Sequence, residues 1–302
     1  MNDSVPRMWR AGFTVEGDAV LEALEGLEEL ALAASIFEAA ADAEDRTTAW
    51  RVELLFKERP DPDELAAGLD AVLAPLGVRA PAPDVEALAD EAWLDRAAMR
   101  RPPMRAGRFY VHGAEDRSTA PKGCVSVEVE AGLAFGSGEH QTTRACLLAL
   151  DALLREGRPG RVLDMGCGSG ILGIAALKAG ARRAVLVDND PVAVAVARDN
   201  LALNGVAGRG RANVAEGYAG LVGRFDLVFA NILADPLVTM AGDLRRHLAT
   251  GGVAVLSGLL DRQAAAVAAA HARHGLRLVR RVDRAPWTAL VLARVARRGR
   301  RG

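Results

Sequence analysis

Lysine is nearly absent. Lys57, Lys122 and Lys178 are the only lysines among 38 basic residues, which reads as genome composition rather than chemistry. Cysteine is scarce as well. Cys124, Cys146 and Cys167 form no metal-spaced pair and no disulfide framework, so no metal is expected and a reducing cytoplasm fits. Neither sign of charge dominates: the net charge is −1, which leaves no global field to draw nucleic acid, and no nucleic-acid requirement is expected. No apolar run reaches the ~20 residues of a membrane span, and no basic-then-apolar leader opens the chain. A cytoplasmic protein without a membrane partner, and a monomer, is the expectation. What is present suffices for two domains with full cores: 302 residues, 50% hydrophobic and 25% charged.

The chain is organised around Val162–Asp190. A short apolar strand, Arg161–Leu163, runs into Asp164. Gly166, Gly168 and Gly170 follow at alternate positions, then an apolar-periodic helix from about Ile171 to Ala179. Gly180 stands where a helix stop is expected, and a second strand, Ala184–Val187, ends on Asp188. Strand, glycine turn, helix, strand and acid make the first half of a nucleotide-binding doubly wound sheet. Glycine lets the backbone turn sharply and approach a ligand. Free N–H groups at the helix start favour a carboxylate or phosphate. Asp188 can accept two hydrogen bonds from ribose hydroxyls.

Two patterns overlap here. Gly168 to Gly173 is G-x-G-x-x-G, the dinucleotide fingerprint of dehydrogenases. Asp164, Gly166, Gly168 and Gly170 form acid-x-G-x-G-x-G, which resembles motif one of class I S-adenosylmethionine methyltransferases. A dehydrogenase strand normally enters its turn without that acid. S-adenosylmethionine carries an ammonium that gives Asp164 a use, so the methyltransferase reading is preferred.

The N-terminal part reads as strand Met8–Val15, helix Asp18–Leu30, an ambiguous Ala33–Ala39, strand Trp50–Lys57 and helix Asp61–Leu76. This order suggests a small α+β ferredoxin-like domain over residues 1–80. Asp84–Met99, with Trp93, reads as a helix, and residues 81–121 as a helical linker and connector. Phe109–His112 and Cys124–Val129 read as strands around a polar loop. The α/β catalytic domain, doubly wound and mostly parallel with a reversed last strand, is expected over residues 122–296. A basic tail, 297–302, follows.

Gly132–Thr143 is a glycine-rich loop with Ser137, Glu139 and His140. It reads as a lid or cofactor-contact loop over the glycine turn, or as no more than a loop and a cap, with Thr142 or Thr143 capping a helix to about Leu154. Beyond Asp188 come helix Pro191–Leu203, strand Arg211–Ala215 and a nearly all-apolar strand, Phe225–Ala230, that ends in Asn231-Ile232-Leu233-Ala234. Helix Pro236–Leu248, turn Gly251-Gly252, strand Val253–Leu256, helix Asp261–His274, and strands Leu276–Val282 and Ala289–Val295 complete the pattern.

Three stretches, Ala134–Thr143, Asp164–Gly173 and Asn231–Leu237, together resemble the PrmA family of ribosomal protein methyltransferases, which modify the eleventh protein of the large subunit. The resemblance covers about Gly132 to Leu260. It implies S-adenosylmethionine as cofactor and methylation of lysine side chains and an α-amine on a ribosomal protein. It implies that the N-terminal domain recognises that substrate. Carried over by motif, Thr143, Gly166, Asp188 and Asn231 would contact the cofactor. Asp164, Gly168 and Gly170 join them as expected cofactor-binding residues, and Asn231 is the expected catalytic residue. Ser137, Glu139 and Gln141 replace the family's usual threonines and proline.

The absence of an aromatic ring after Asn231 separates this chain from enzymes that methylate planar amines, which carry N/D-P-P-Y/F there. Cytosine C5 methylation would need a Pro-Cys nucleophile, which is missing. A different protein lysine substrate, or a cofactor-binding assembly module without catalysis, are the alternatives.

Overall fold

Alternation of buried and outward residues builds the first sheet. Strand β1 (Met8–Glu16) buries Ala11, Phe13 and Val15, the period of two of a half-buried strand. A 3₁₀ turn (Asp18–Ala23) leads into α1 (Leu24–Leu30), followed by β2 (Ala33–Glu38), β3 (Ala49–Phe56), α2 (Pro62–Leu73) and β4 (Asp84–Leu88). The spatial order is β2-β3-β1-β4 and each pairing is antiparallel. Helix α2 starts where the sequence says it should. Asp61 Oδ1 accepts from the N–H groups of Asp63 and Glu64 at 2.9 and 3.1 Å, a cap that contributes about 1 kcal/mol.

The structure, a computed structural model, describes residues 8–38, 49–79, 81–88, 103–129 and 141–294. Two compact units divide between Ala98 and Met99. Asp84–Leu88 corrects one expectation: it is a strand, not the start of a helix. It pairs with β1 from Met8↔Leu88 to Gly12↔Asp84, and sheet pairing overrides its helix-compatible composition. It completes the ferredoxin-like β-α-β-β-α-β unit and carries the first unit past residue 80. Trp93 and the rest of that expected helix lie outside the described residues, as does the tail 297–302.

The second unit opens with a small sheet, β5 (Met104–Ala106), β6 (Phe109–His112) and β7 (Val125–Glu128). Ala106, Phe109, Val111 and Val127 share one core with the helices that follow. These strands therefore belong with the larger unit, not with a linker ending at residue 121. The expected polar loop between them contains a 3₁₀ turn, Ala114–Thr119.

Helix α3 (Gln141–Leu153) follows, then β8 (Arg161–Met165), α4 (Ile171–Lys178), β9 (Arg183–Asp188), α5 (Pro191–Leu203), β10 (Gly210–Val214) and β11 (Phe225–Asn231). The chain ends in α6 (Ala234–Thr239), α7 (Ala241–His247), β12 (Leu248–Leu260), α8 (Ala264–Arg273), β13 (Leu276–Arg284) and β14 (Trp287–Arg294). The sheet order is β10-β9-β8-β11-β12-β14-β13. Strand β14 runs antiparallel to both neighbours, and the pairings from β10 to β12 are parallel. Central strand β11 is apolar on both sides because it serves two cores. Leu227 and Phe229 face one, Phe225, Val228 and Ala230 the other.

Three boundaries differ from the sequence expectation. Thr142 and Thr143 lie inside the first turn of α3 rather than capping it. The expected helix Pro236–Leu248 is two helices that meet at Met240. Gly251-Gly252 is not a turn between elements. It lies within β12, where the register against β11 jumps from Phe225↔Leu248 to Leu227↔Val253.

Candidate active site

Three glycines turn the chain from β8 into α4. Gly166, Gly168 and Gly170 have φ of +64°, +49° and +82°, a left-handed backbone that costs other residues about 1–2 kcal/mol each. Gly166 is further constrained by a neighbour. A Cβ there would lie 2.3 Å from Ile232 Cγ2, so the glycine turn closes directly on the chain leaving β11.

Gly170 is the N-cap of α4 and has no side chain to satisfy the first helical N–H groups. Asp164 supplies the missing acceptor from β8: its Oδ2 accepts from Gly173 N–H at 2.8 Å. The carboxylate is 1% exposed. Burial pushes its pKa up to about 7, with Gly173 N–H opposing and the charge of Asp188 adding to the rise. Asp164 therefore acts within the protein as the anchor of the turn, beside whatever use a ligand ammonium makes of it.

Asp188, half-buried at the tip of β9, faces the same turn. Its Oδ2 accepts from Gly168 N–H at 2.8 Å and its Oδ1 from Asp190 N–H at 3.1 Å. Two backbone donors fix the carboxylate, and each oxygen keeps capacity for a further donor.

Asn231 is the last residue of β11. Its Oδ1 is buried and accepts no hydrogen bond among the described residues. The next residue is held in place, since Ile232 N–H donates to Ser257 O at 3.1 Å. Ser257 lies opposite Asn231 in the β11–β12 register and is fully buried. Sequence reading missed it; the signal was a serine directly after the apolar run Val253–Leu256. Thr143 is buried in the first turn of α3, a helix packed on β11, β12 and β14. Gly132–His140 of the expected contact loop lies outside the described residues.

Asp164, the glycines, Asp188 and Asn231 thus gather at the carboxyl ends of β8, β9 and β11. The strand order reverses between β8 and β11, which is where open parallel sheets bind ligands. The site offers fixed oxygen acceptors and a backbone open to close approach. Thiol chemistry is not available. Burial pushes Cys146 up to about 12 and raises Cys167 as well, so neither is a thiolate near neutrality. Among the described residues no group of three or more His, Cys, Asp or Glu side chains is placed to hold a metal ion.

Comparison with known proteins decides the family. The family described as ribosomal protein L11 methyltransferase (PrmA) matches residues 17–295. The chain belongs to this family. A PrmA relative from Caulobacter sp. (strain K31), named ribosomal protein L11 methyltransferase, is 42% identical over 255 residues, 81% of this chain and 83% of that protein. One of the same name from Rhodopseudomonas palustris (strain BisB5) is 40% identical over 296 residues, 94% of this chain and 97% of that protein. The crystal structure of ribosomal protein L11 methylase from Lactobacillus delbrueckii subsp. bulgaricus superposes with a TM-score of 0.60 at 29% identity, over 65% of this chain and 100% of that one. The larger unit of this PrmA-family chain has the class I methyltransferase fold, with the reversed last strand.

Proposed function

We propose that this protein transfers the methyl group of S-adenosylmethionine to amine nitrogens of ribosomal protein L11, on lysine side chains, the N-terminal α-amine or both. The observation that carries the amine assignment is the buried Oδ1 of Asn231, which accepts no hydrogen bond among the described residues. Leaving such an acceptor unpaired costs about 1–3 kcal/mol, and the N–H of an incoming amine removes that cost. Family membership and the names of the relatives support L11 as the substrate.

The residues present fit the cofactor. Bound S-adenosylmethionine supplies an electrophilic methyl carried on a sulfonium. Gly166, Gly168 and Gly170 give it a backbone surface without side chains. Asp188, with lone pairs to spare, accepts from the ribose hydroxyls. Asp164 holds the turn through Gly173 and would offer a carboxyl oxygen to the cofactor's ammonium, whose positive charge favours the ionised form. Thr143 contacts the cofactor from the first turn of α3. Asn231 accepts an N–H of the amine and so aims its lone pair. The amine must arrive neutral. For a free lysine with pKa about 10.4, deprotonation at pH 7 costs about 4.6 kcal/mol, and burial beside a cation lowers that cost. Ile232, Leu233 and Ala234 bring no ring to clamp a planar group, which favours a tetrahedral amine over an amide or base. No covalent enzyme intermediate is needed, and positioning supplies much of the rate.

In this reading residues 1–80, extended by β4, select the substrate. Every proposed cofactor contact lies in the second unit. The test is labelled methyl transfer to purified L11, read by mass spectrometry. The full chain should place methyl groups on amine nitrogens. The piece Met99–Gly302 should bind S-adenosylmethionine yet leave L11 unmodified. Label on amides, carboxylates or RNA alone would overturn the amine assignment, and full activity of the shorter piece would remove the recognition role.

A further inference from the structure

A second site lies at the opposite end of the same strands. A cleft of about 630 Å³ is lined by Arg161, Arg182, Arg183, Arg209 and Arg211, and its remaining lining residues are glycine, alanine and valine. Arg161 and Arg183 stand opposite each other in the β8–β9 pair, and like charges so placed destabilise a sheet. Arg211 follows on β10, beside Val185 of β9. Strands ~4.8 Å apart set these cations in a row roughly 10 Å long.

Two of the five are anchored by the protein itself. Arg161 donates to Val222 O at 3.2 Å and lies over the Phe225 ring, and Arg209 donates to Ala181 O at 2.9 Å. The guanidinium groups of Arg182, Arg183 and Arg211 have no ion-pair or hydrogen-bond partner among the described residues. One carboxylate stands near the row: Asp226, whose Oδ2 accepts from the backbone N–H of Arg161 at 2.7 Å, offsets part of its charge.

We propose that this cleft binds the phosphodiester backbone of a single RNA strand. Arginine forks match phosphate oxygens bidentately. A row of cations with no aromatic ring and no enclosed apolar pocket reads charge rather than base, as backbone contacts do. That suits a polymer charged at every unit better than a single nucleotide, whose base would find no platform here. The net charge of −1 hides the feature, because the arginines are segregated to one edge. The choice of RNA among polyanions rests on the proposed function, which puts a ribosomal protein, and therefore RNA, near the enzyme. The cleft's charge does not depend on it. The cleft and Asp188 occupy opposite ends of β9, so RNA bound in the cleft would leave the proposed methyl-transfer site open.

The test is fluorescence anisotropy of a labelled, unstructured RNA of about 20 nucleotides, titrated with the full-length protein at several salt concentrations. Each neutralised phosphate on a single strand contributes about 0.7 to the slope of log K against log salt. The triple variant Arg182→Ser/Arg183→Ser/Arg211→Ser should lose about 2 from the wild-type slope, with S-adenosylmethionine affinity unchanged as the check on folding. If the triple variant does not fold, Arg211→Ser alone should lose about 0.7. No RNA binding by the wild type, an unchanged slope in the folded variant, or displacement of the RNA by polyglutamate at equal charge concentration would each overturn the proposal. The first of these with L11 methylation intact would leave the proposed function standing.

Discussion

The two ends of β8 and β9 are separated by less than ~20 Å of strand, yet they are built on opposite principles. The carboxyl end carries acceptors, Asp164 and Asp188, and each is already tied to backbone N–H groups. The amino end carries Arg161 and Arg183, on exposed or half-exposed positions. Between them, Val162, Leu163 and Ala184 to Val187 are apolar, most of them buried. The difference is one of preorganisation. At the carboxyl end, orientation is fixed before a ligand arrives, which is what a reaction needs. At the amino end, several side chains remain unengaged, which suits an adaptable and salt-sensitive contact.

The largest effect that would sharpen this contrast is a pH effect on Asp164. Its folded pKa of about 7 lies above the unfolded value of about 3.9. Between the two, the folded protein holds a proton that the unfolded chain has released. Its contribution to stability is therefore complete below pH ~4, falls as pH rises towards ~7, and is flat above. The loss is on the order of 1.4 kcal/mol per pH unit, a few kcal/mol in all. Asp164→Asn cannot ionise and keeps an oxygen for Gly173 N–H. Urea unfolding at pH 5, 6, 7 and 8 should show the variant gaining on the wild type up to pH ~7. Arg183→Ser, at the other end of β9, should run parallel to wild type. Parallel curves for Asp164→Asn would break the claim that the carboxyl-end acid is locked beneath the turn.

Asp188→Ala comes next. It removes a charged acceptor from the ribose, at a cost of about 1.5–3 kcal/mol, or roughly 10–150-fold in S-adenosylmethionine affinity. Arg183→Ser should leave that affinity alone. Calorimetry in which a folded Asp188→Ala variant binds as tightly as wild type would remove the ribose assignment and, with it, the functional asymmetry of the two ends.

How much of this was readable from the chain depends on how local the cause was. Alternate glycines with an acid ahead of them and another at the next strand tip are a local pattern, and the turn, α4 and β9 follow from it. Helix Pro191–Leu203 was legible to the residue because proline opens it and Asn204-Gly205 closes it. Asp84–Leu88 was not, because its strand exists only through pairing with β1. Asp164 is legible as a candidate ligand residue, but its burial and its bond to Gly173 N–H are not, because neither can be read from an acid at a strand end. The arginine cleft was invisible for the same kind of reason. Arg161, Arg182–Arg183 and Arg209–Arg211 meet only once parallel strands bring together segments some 20 to 50 positions apart, and an averaged net charge erases them.

The smallest effect is the most specific. Asn231→Ala deletes one neutral acceptor at the carboxyl end of β11, worth about 0.5–1.5 kcal/mol, or roughly 2–13-fold in rate. Its oxygen is buried without a partner among the described residues, so truncation breaks no hydrogen bond of that oxygen there and should cost little stability. What it removes is the contact that orients the amine. An unmethylated amine offers the most N–H donors, and each methyl added removes one. Addition of the first methyl should therefore slow more than addition of later ones. Time-resolved mass spectrometry of intact L11 separates these steps. Arg183→Ser should leave every step at the wild-type rate. Equal slowing of each methyl addition in Asn231→Ala would mean that the side chain shapes the pocket without accepting from the amine. Asn231→Asp separates the two accounts again: it keeps an acceptor of the same shape and should retain the wild-type ratio of first to later steps.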